Sequence, residues 1–305
     1  MSTKIYTIVA REILDSRGNP TIETTVILEN GYRGIASVPA GTSLGKYEAK
    51  ELRDNDEKRY FGMGVLHAVN IVNSTIASKL RGMDALDQRG IDQAMLALDT
   101  TEDKSKLGAN SILSVSLSMA KAAAAAQRLS LFRYLNTLFS QLIPTQLLRI
   151  PTPTVNVING GKHGAGNLDF QEFQIVPASS LPYHDALRLS VEVYQKLKGI
   201  LQYRNTSTAV GYEGGFAPNL YTNIDAMELL TEAIKATPYH FGVDVFFGLD
   251  IAASHFKTDR GYQIKDKQNP MNTKDFVVYL AELHKNYRLL ILEDALDEDD
   301  WSGWT

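Results

Sequence analysis

The sequence predicts an α/β protein in two parts: an amino-terminal α+β capping domain, an antiparallel meander followed by helices, and a carboxy-terminal domain in which strands and helices alternate. Three observations carry this. From Lys4 to Val38, short β-branched runs (TIETTVILEN, then YRGIASV) are separated by Arg-Gly-Asn-Pro and Asn-Gly turns, as in a meander. Beyond Pro153, short apolar runs alternate with amphipathic stretches, which implies parallel strands with helical crossovers, hence an α/β barrel or an open sheet. Between the two regions Pro144, Pro151 and Pro153 punctuate IPTQLLRIPTPT, so the domains are expected over residues 1–140 and 141–305.

Each element follows from local pattern. Asn110 to Leu138 (NSILSVSLSMAKAAAAAQRLSLFRYLNTL) has strong helix propensity, and its five consecutive alanines predict a close helix–helix contact. In the second part TVNVI, FQIVP, VDVFFGLD and LLILED read as strands. A helix between them carries Leu187, Val191, Tyr194, Leu197 and Leu201 on one face; the next starts at Thr222 with Asp225 completing a capping box; a third carries Phe276, Leu280 and Leu283.

Bulk properties narrow the function. A formal charge of −4 and a pI near 5.9 provide no basic face for nucleic acid. The chain has no cysteine, so it holds no disulfide, thiol nucleophile or thiolate metal site. The start, MSTKIYTIVAREIL, lacks the apolar core of a signal peptide and no apolar run spans a bilayer, which places the chain in the cytoplasm as an expectation.

The chemistry gathers at strand ends. FFGLD ends at Asp250 and LLILED at Glu293 and Asp294. In an α/β barrel such ends converge, and the repulsion between their carboxylates is relieved by a hard divalent cation such as Mg²⁺. Taken singly, Asp250 reads equally as a helix cap and Glu293 as the start of a solvated loop. The acids Asp297 to Asp300 read as that loop, with Trp301 and Trp304 anchoring a helix start. Glu213 precedes a Gly-Gly pair in AVGYEGGFAPN, and NGGKHGAGNLDFQEF places Lys162, His163, Gln171 and Glu172 near the ends of two strands. The loop VPAGTSLGKYEAKELRD, Val38 to Asp54, reads as a surface loop or a lid.

Together these segments resemble the enolase family. DSRGNPT (Asp15 to Thr21), the Gly41-Thr42-Ser43 loop, GVLHAVNIVN, SKLGAN, NGGKHGAGNLDFQEF, EGGFAPN, GLDIAAS and LEDALDEDDW stand in the family's order and at roughly its spacing. The resemblance implies an incomplete TIM-like barrel after the capping domain, and the reversible dehydration of 2-phospho-D-glycerate to phosphoenolpyruvate. It implies two Mg²⁺ per active site in the complete enzyme. Asp250 and Glu293 match carboxylates that hold the first ion, and Ser43 matches the loop residue that reaches the second. Glu213 matches the general acid with Glu172 supporting it; His163 and Gln171 match substrate-binding residues. The implied partners are a small phosphorylated substrate, a second copy in a homodimer or larger ring and, as for other enolases, proteins met at the cell surface; no nucleic acid is implied.

The sequence departs from the family pattern in three ways. It stops after the fourth of the family's eight barrel strands, before the positions of the third metal carboxylate, the catalytic lysine, a second lysine and the phosphate-binding Ser-Arg pair. The expectation is therefore the amino-terminal part of an enolase, inactive alone, with a non-catalytic binding or assembly protein and one half of a split enzyme as the other readings. Tyr212 stands where Asp is usual and is expected to alter the ionisation of Glu213. Ala295 and Ala40 replace the usual Pro and Ser, with smaller effects on loop geometry.

Overall fold

The computed structural model describes residues 2–41, 44–142, 150–164 and 168–305. The chain divides into two compact units, Met1–Leu148 and Arg149–Thr305, each with its own core.

The first unit opens with the predicted meander: β1 (Ile5–Leu14), β2 (Pro20–Leu28) and β3 (Arg33–Ser37) pair antiparallel in that order. The first turn is tied by the Asp15 carboxylate, which accepts from the Arg17 and Asn19 backbone N–H groups. Gly31 supplies the positive φ of the second, as the Asn-Gly pair predicts. Four helices follow in sequence. The helix α1 (Leu66–Ile71) runs through a π-helical turn, Val72–Ile76, into α2 (Ala77–Leu80); α3 (Gln88–Asp99) and α4 (Ala109–Ala126) come next.

The stretch predicted as one helix over 110–138 is two. It breaks at Arg128, whose φ is +57°, and α5 (Leu131–Leu142) starts afresh. The helix α4 packs against α3 and α5, as its alanine run suggests, and it also lies directly on β2 and β3, so close that a Cβ at Gly34 would stand 2.1 Å from the Ser118 carbonyl and 2.4 Å from the Ala122 nitrogen. Small residues on the helix and a glycine on the strand serve one purpose, close approach of two backbones. Gly34→Ala is therefore expected to cost about 3 kcal/mol, because only backbone can move aside; urea denaturation of the variant measures it.

In the second unit β4 (Val155–Asn159) and β5 (Glu172–Pro177) are followed by α6 (Tyr183–Tyr203), α7 (Asn223–Lys235) and β6 (Val245–Asp250). A small hairpin, β7 (Lys257–Thr258) and β8 (Gly261–Tyr262), leads to α8 (Thr273–Tyr287), β9 (Leu289–Glu293) and one helical turn, α9 (Trp301–Trp304). The four-stranded sheet has the order β4-β5-β6-β9.

Its strand directions correct the all-parallel expectation. Only β6 and β9 are parallel; β4 with β5, and β5 with β6, are antiparallel. The reason is the number of reversals between strands. One helix, α8, returns the chain to its starting direction, whereas two helices between β5 and β6 leave it reversed. Between β4 and β5 no helix intervenes among the described residues, so the chain simply turns back.

The helices pack against one face of the sheet, where Phe173, Ile175, Phe247 and Leu249 join Leu189, Val193 and Leu197 of α6 and Leu230 of α7 in a single core. The face of α6 is offset from the predicted one: Leu197 and Leu201 are buried, but Leu187 and Val191 are exposed and Leu189 and Val193 take their place. The capping box at Thr222 and Asp225 forms as expected, and Phe276, Leu280 and Leu283 are all buried.

Candidate functional site

Because β5 runs against its neighbours, its first residue shares a sheet edge with the last residues of β4, β6 and β9. The pairing register sets them in one line: Asn159 faces Glu172, Glu172 faces Asp250, and Asp250 faces Glu293. Residues directly opposite across a ladder project to the same face, so three carboxylates and an amide form a row across the whole sheet. That face is the one opposite the helices.

Glu213 reaches this row from outside the sheet. Residues 210–216 form a tight turn beside the free edge of β4, with Phe216 N donating to Val157 O at 2.9 Å and Asn159 N to Phe216 O at 2.8 Å. The turn closes through Gly211 N to Gly215 O at 2.8 Å, and Tyr194 of α6 clamps it, its hydroxyl donating to Gly214 O at 2.8 Å and its ring stacking on Phe216. Gly215 is required by contact: a Cβ there would lie 2.5 Å from Asn159 Oδ1 and 3.0 Å from Asn156 Oδ1.

His163 sits between two acids. Its Nδ1 lies 3.0 Å from Glu213 Oε1 and 3.5 Å from Glu172 Oε1. Candidate ligand atoms of the three side chains all lie within 4.8 Å of one another, close enough for a shared proton or a cation. Two carboxylates this close cannot both stay ionised without help. Burial, then the hydrogen bond and charge of Glu213, push the Glu172 carboxyl up to about 8. For Glu213 burial works against ionisation, but hydrogen bonds with Glu172 and Asn159 and the His163 ring outweigh it and hold the carboxyl below its usual range. The pair thus carries one proton, resting on Glu172. The largest influences on Glu213 are burial, Glu172, His163 and Asn159, and the neighbouring Tyr212 is exposed.

Asp250 is buried at the end of β6. Its Oδ2 accepts from Gln171 Nε2 at 2.9 Å and its Oδ1 from Ala252 N at 3.1 Å, a local turn contact; the helix cap read for it does not form, since the 3₁₀ turn Ala253–His255 that follows has no side-chain cap. Burial and the charges of Glu293 and Asp294 nevertheless push its carboxyl up to about 6. Crowded carboxylates of this kind are what a hard cation relieves, and Gln171 Oε1, buried with no hydrogen-bond partner among the described residues, adds a neutral oxygen. These carboxylate and amide oxygens are the donor type a Mg²⁺ ion takes, while the side chains close enough to share one ion among the described residues are His163, Glu172 and Glu213.

The structure brings together His163, Gln171, Glu172, Glu213, Asp250 and Glu293, six of the seven residues singled out by sequence. The seventh, Ser43, lies outside the described residues, so its placement at a second ion is not addressed. Sequence reasoning missed Asn156, Asn159 and Gln174, which bond the two glutamates, and Asn223. The buried Asn223 accepts from Asp169 N and Phe170 N at 3.1 and 3.0 Å and donates to Asp266 Oδ1 at 2.6 Å, pinning the approach to Gln171. Their only signal was an amide inside an otherwise apolar run, as in TVNVIN and FQIVP. Asp300, read as part of a solvated loop, is a structural node: its Oδ2 accepts from Tyr262 Oη at 2.9 Å and Thr273 Oγ1 at 2.6 Å.

Gly215→Ala is expected to push the two asparagine amides off Glu213. Losing donors to the charged form raises the titration midpoint of Glu213, which carboxyl ¹³C NMR reads directly.

Comparison with known families agrees with this architecture. The model described as "Enolase, N-terminal domain" matches residues 5–135, and that described as "Enolase, C-terminal TIM barrel domain" matches residues 147–305. With both halves matched, the second over more than half of the sequence, the chain belongs to the enolase family.

Proposed function

We propose that this chain carries the general-acid and first-metal half of a site for the reversible dehydration of 2-phospho-D-glycerate to phosphoenolpyruvate, the reaction of a Mg²⁺-dependent carbon–oxygen lyase, in which the base that takes the C2 proton comes from outside these residues. The observation that supports it best is the lateral row Asn159–Glu172–Asp250–Glu293, which sets a one-proton carboxyl pair beside two carboxylates suited to a cation. The proton beside an ionised carboxylate is weakly acidic, because its removal adds charge to a group already negative. Asp250 and Glu293 would hold Mg²⁺, which supplies positive charge to the substrate's carboxylate as that negative charge develops. Glu172 and Glu213 act as one acid: the proton held on Glu172 passes through Glu213 to the departing hydroxyl, general acid assistance of roughly 10²–10⁴-fold. His163 and Gln171 orient substrate around them. Family membership also supports a homo-oligomer and a cytoplasmic site of action, both as part of this proposal; no helix among the described residues is long and apolar enough to cross a membrane.

Calorimetric titration of the purified chain with 2-phospho-D-glycerate, with and without MgCl₂, tests the reading. The expected result is binding that requires Mg²⁺, is lost in Asp250→Asn and weakens at least about tenfold in His163→Ala, the loss of one hydrogen bond to a charged group. No Mg²⁺-dependent binding by the wild-type chain overturns it. Parallel measurement of phosphoenolpyruvate formation separates this reading from a non-catalytic binding protein.

A further inference from the structure

One pleat below the row of acids, on the same face of the sheet, runs a second row: Asn156 faces Gln174, Gln174 faces Gly248, and Gly248 faces Ile291. Gln174 is 7% exposed and donates Nε2 to Glu172 Oε2 at 2.8 Å. Asn156 and Asn159 both donate to Glu213 Oε2, at 2.9 and 3.3 Å. Three amides therefore occupy the Oε2 atoms of both acids, and both Oε1 atoms are the ones turned towards His163 Nδ1.

Two features show that this arrangement is imposed. Asn156 and Asn159 are three apart, and strict alternation would aim them at opposite faces. A register shift between Asn156 and Ile158 restores both to the site, the re-aiming that bulges provide. Second, the amide oxygens Asn156 Oδ1, Asn159 Oδ1 and Gln174 Oε1 are buried with no hydrogen-bond partner among the described residues. Buried acceptors are left unpaired only when something else fixes the amide; here the carboxylates fix it, by demanding donors. Gly248 leaves the space for this, since a Cβ there would approach Gln174 Oε1 to 2.9 Å.

We propose that Gln174, with Asn156 and Asn159, is a positioning residue: an amide floor that selects which oxygen of Glu172 and of Glu213 faces the reacting centre. The terminal torsion of a glutamate is broad and nearly two-fold, so a bare carboxyl would present either oxygen and share its proton in several geometries. Donors from below remove that freedom. The same floor directs the proton: with Oε2 of each acid accepting, the proton lies at the Oε1 side, between the acids and next to the histidine. The inference rests on reading Glu172 and Glu213 as the acid pair of the proposed reaction.

The test is spectroscopic and independent of turnover. In ¹⁵N-labelled full chain at pH 7, the side-chain amide of Gln174 is identified by its disappearance in Gln174→Met, a substitution of similar length and volume. The expected result is an amide proton shifted downfield of free glutamine that returns to the free position in Glu172→Ala. In Gln174→Met, the expected result is a moved Glu172 carboxyl ¹³C signal with the melting temperature little changed. Should Gln174→Met fail to fold, Gly248→Ala keeps every polar group and crowds the amide, and it is expected to abolish the downfield shift. A Gln174 amide already at the free position in the wild type, or one unmoved by Glu172→Ala, overturns the proposal. A shifted amide in a chain that binds no 2-phospho-D-glycerate overturns the functional reading and leaves the floor standing.

Discussion

Asp250→Asn is expected to stabilise the metal-free protein and to make it blind to Mg²⁺. At pH 7 the wild-type carboxylate is ionised although its surroundings hold it at about 6 against the usual 3.8, so its charge costs roughly 3 kcal/mol at 1.36 kcal/mol per unit. The asparagine loses that charge but keeps a single acceptor for the Gln171 and Ala252 donors, which takes back about 1–2 kcal/mol. The net gain is on the order of 1 kcal/mol, read as a higher denaturant midpoint. In the wild type MgCl₂ should raise the melting temperature, since an ion that binds only the folded state stabilises it by mass action. In the variant the same addition should do nothing. A variant that still responds to Mg²⁺ places the ion elsewhere.

The second large effect is a loss of stability with rising pH. Glu172 titrates near 4.5 when unfolded and at about 8 in the fold, so between those values the folded state holds the extra proton. Stability from this group is complete below pH 4.5 and gone above 8. Asp250 acts in the same direction over the lower part of the window, between 3.8 and about 6. Glu213, held below the usual 4.5, has the opposite sign: its contribution is present above that pH and is lost as pH falls through its folded value. Between pH 5 and 8 the raised groups dominate, and the unfolding free energy of the metal-free chain should fall by on the order of 3 kcal/mol. Urea denaturation at pH 5, 6.5 and 8 measures the slope. Glu172→Gln, which carries no titrating proton, should remove most of it.

Much of this architecture is legible in the residues, and the parts that are not share a cause. The meander declares itself through β-branched runs and an Asn-Gly turn, and the Thr222 cap through its Asp225 partner, because these are local interactions. The acids at strand ends are legible too, not singly but because two strands, VFFGLD and LLILED, both end in carboxylates. What escaped is set by pairing across distance. The antiparallel β5 follows from counting reversals, which requires knowing that two helices and not one separate it from β6. The alanines of α4 suggest a neighbouring helix but not Gly34, the matching small residue on a strand nearly ninety residues earlier. Asn156, Asn159 and Gln174 look like interruptions of apolar strands until a bulge and a register bring them under the glutamates. The offset face of α6 has the same origin: a period of 3.6 fixes the width of a buried stripe, while the sheet beneath decides where its centre falls.

The line of site residues across four strands also ties the cation site to the sheet's own opening motions. In β9 the residue that faces Asp250 is Glu293, the last of a strand whose outer edge pairs with no strand among the described residues. Edge segments with few buried contacts open at free energies well below that of global unfolding. Amide hydrogen exchange should accordingly find the β9 amides exchanging ahead of those of β5 and β6, so that each excursion of the edge removes one carboxylate from the pair. An ion bridging Asp250 and Glu293 would have to be broken for that opening to occur. Protection factors along β9 would therefore rise with Mg²⁺ concentration, making exchange rate a gauge of occupancy.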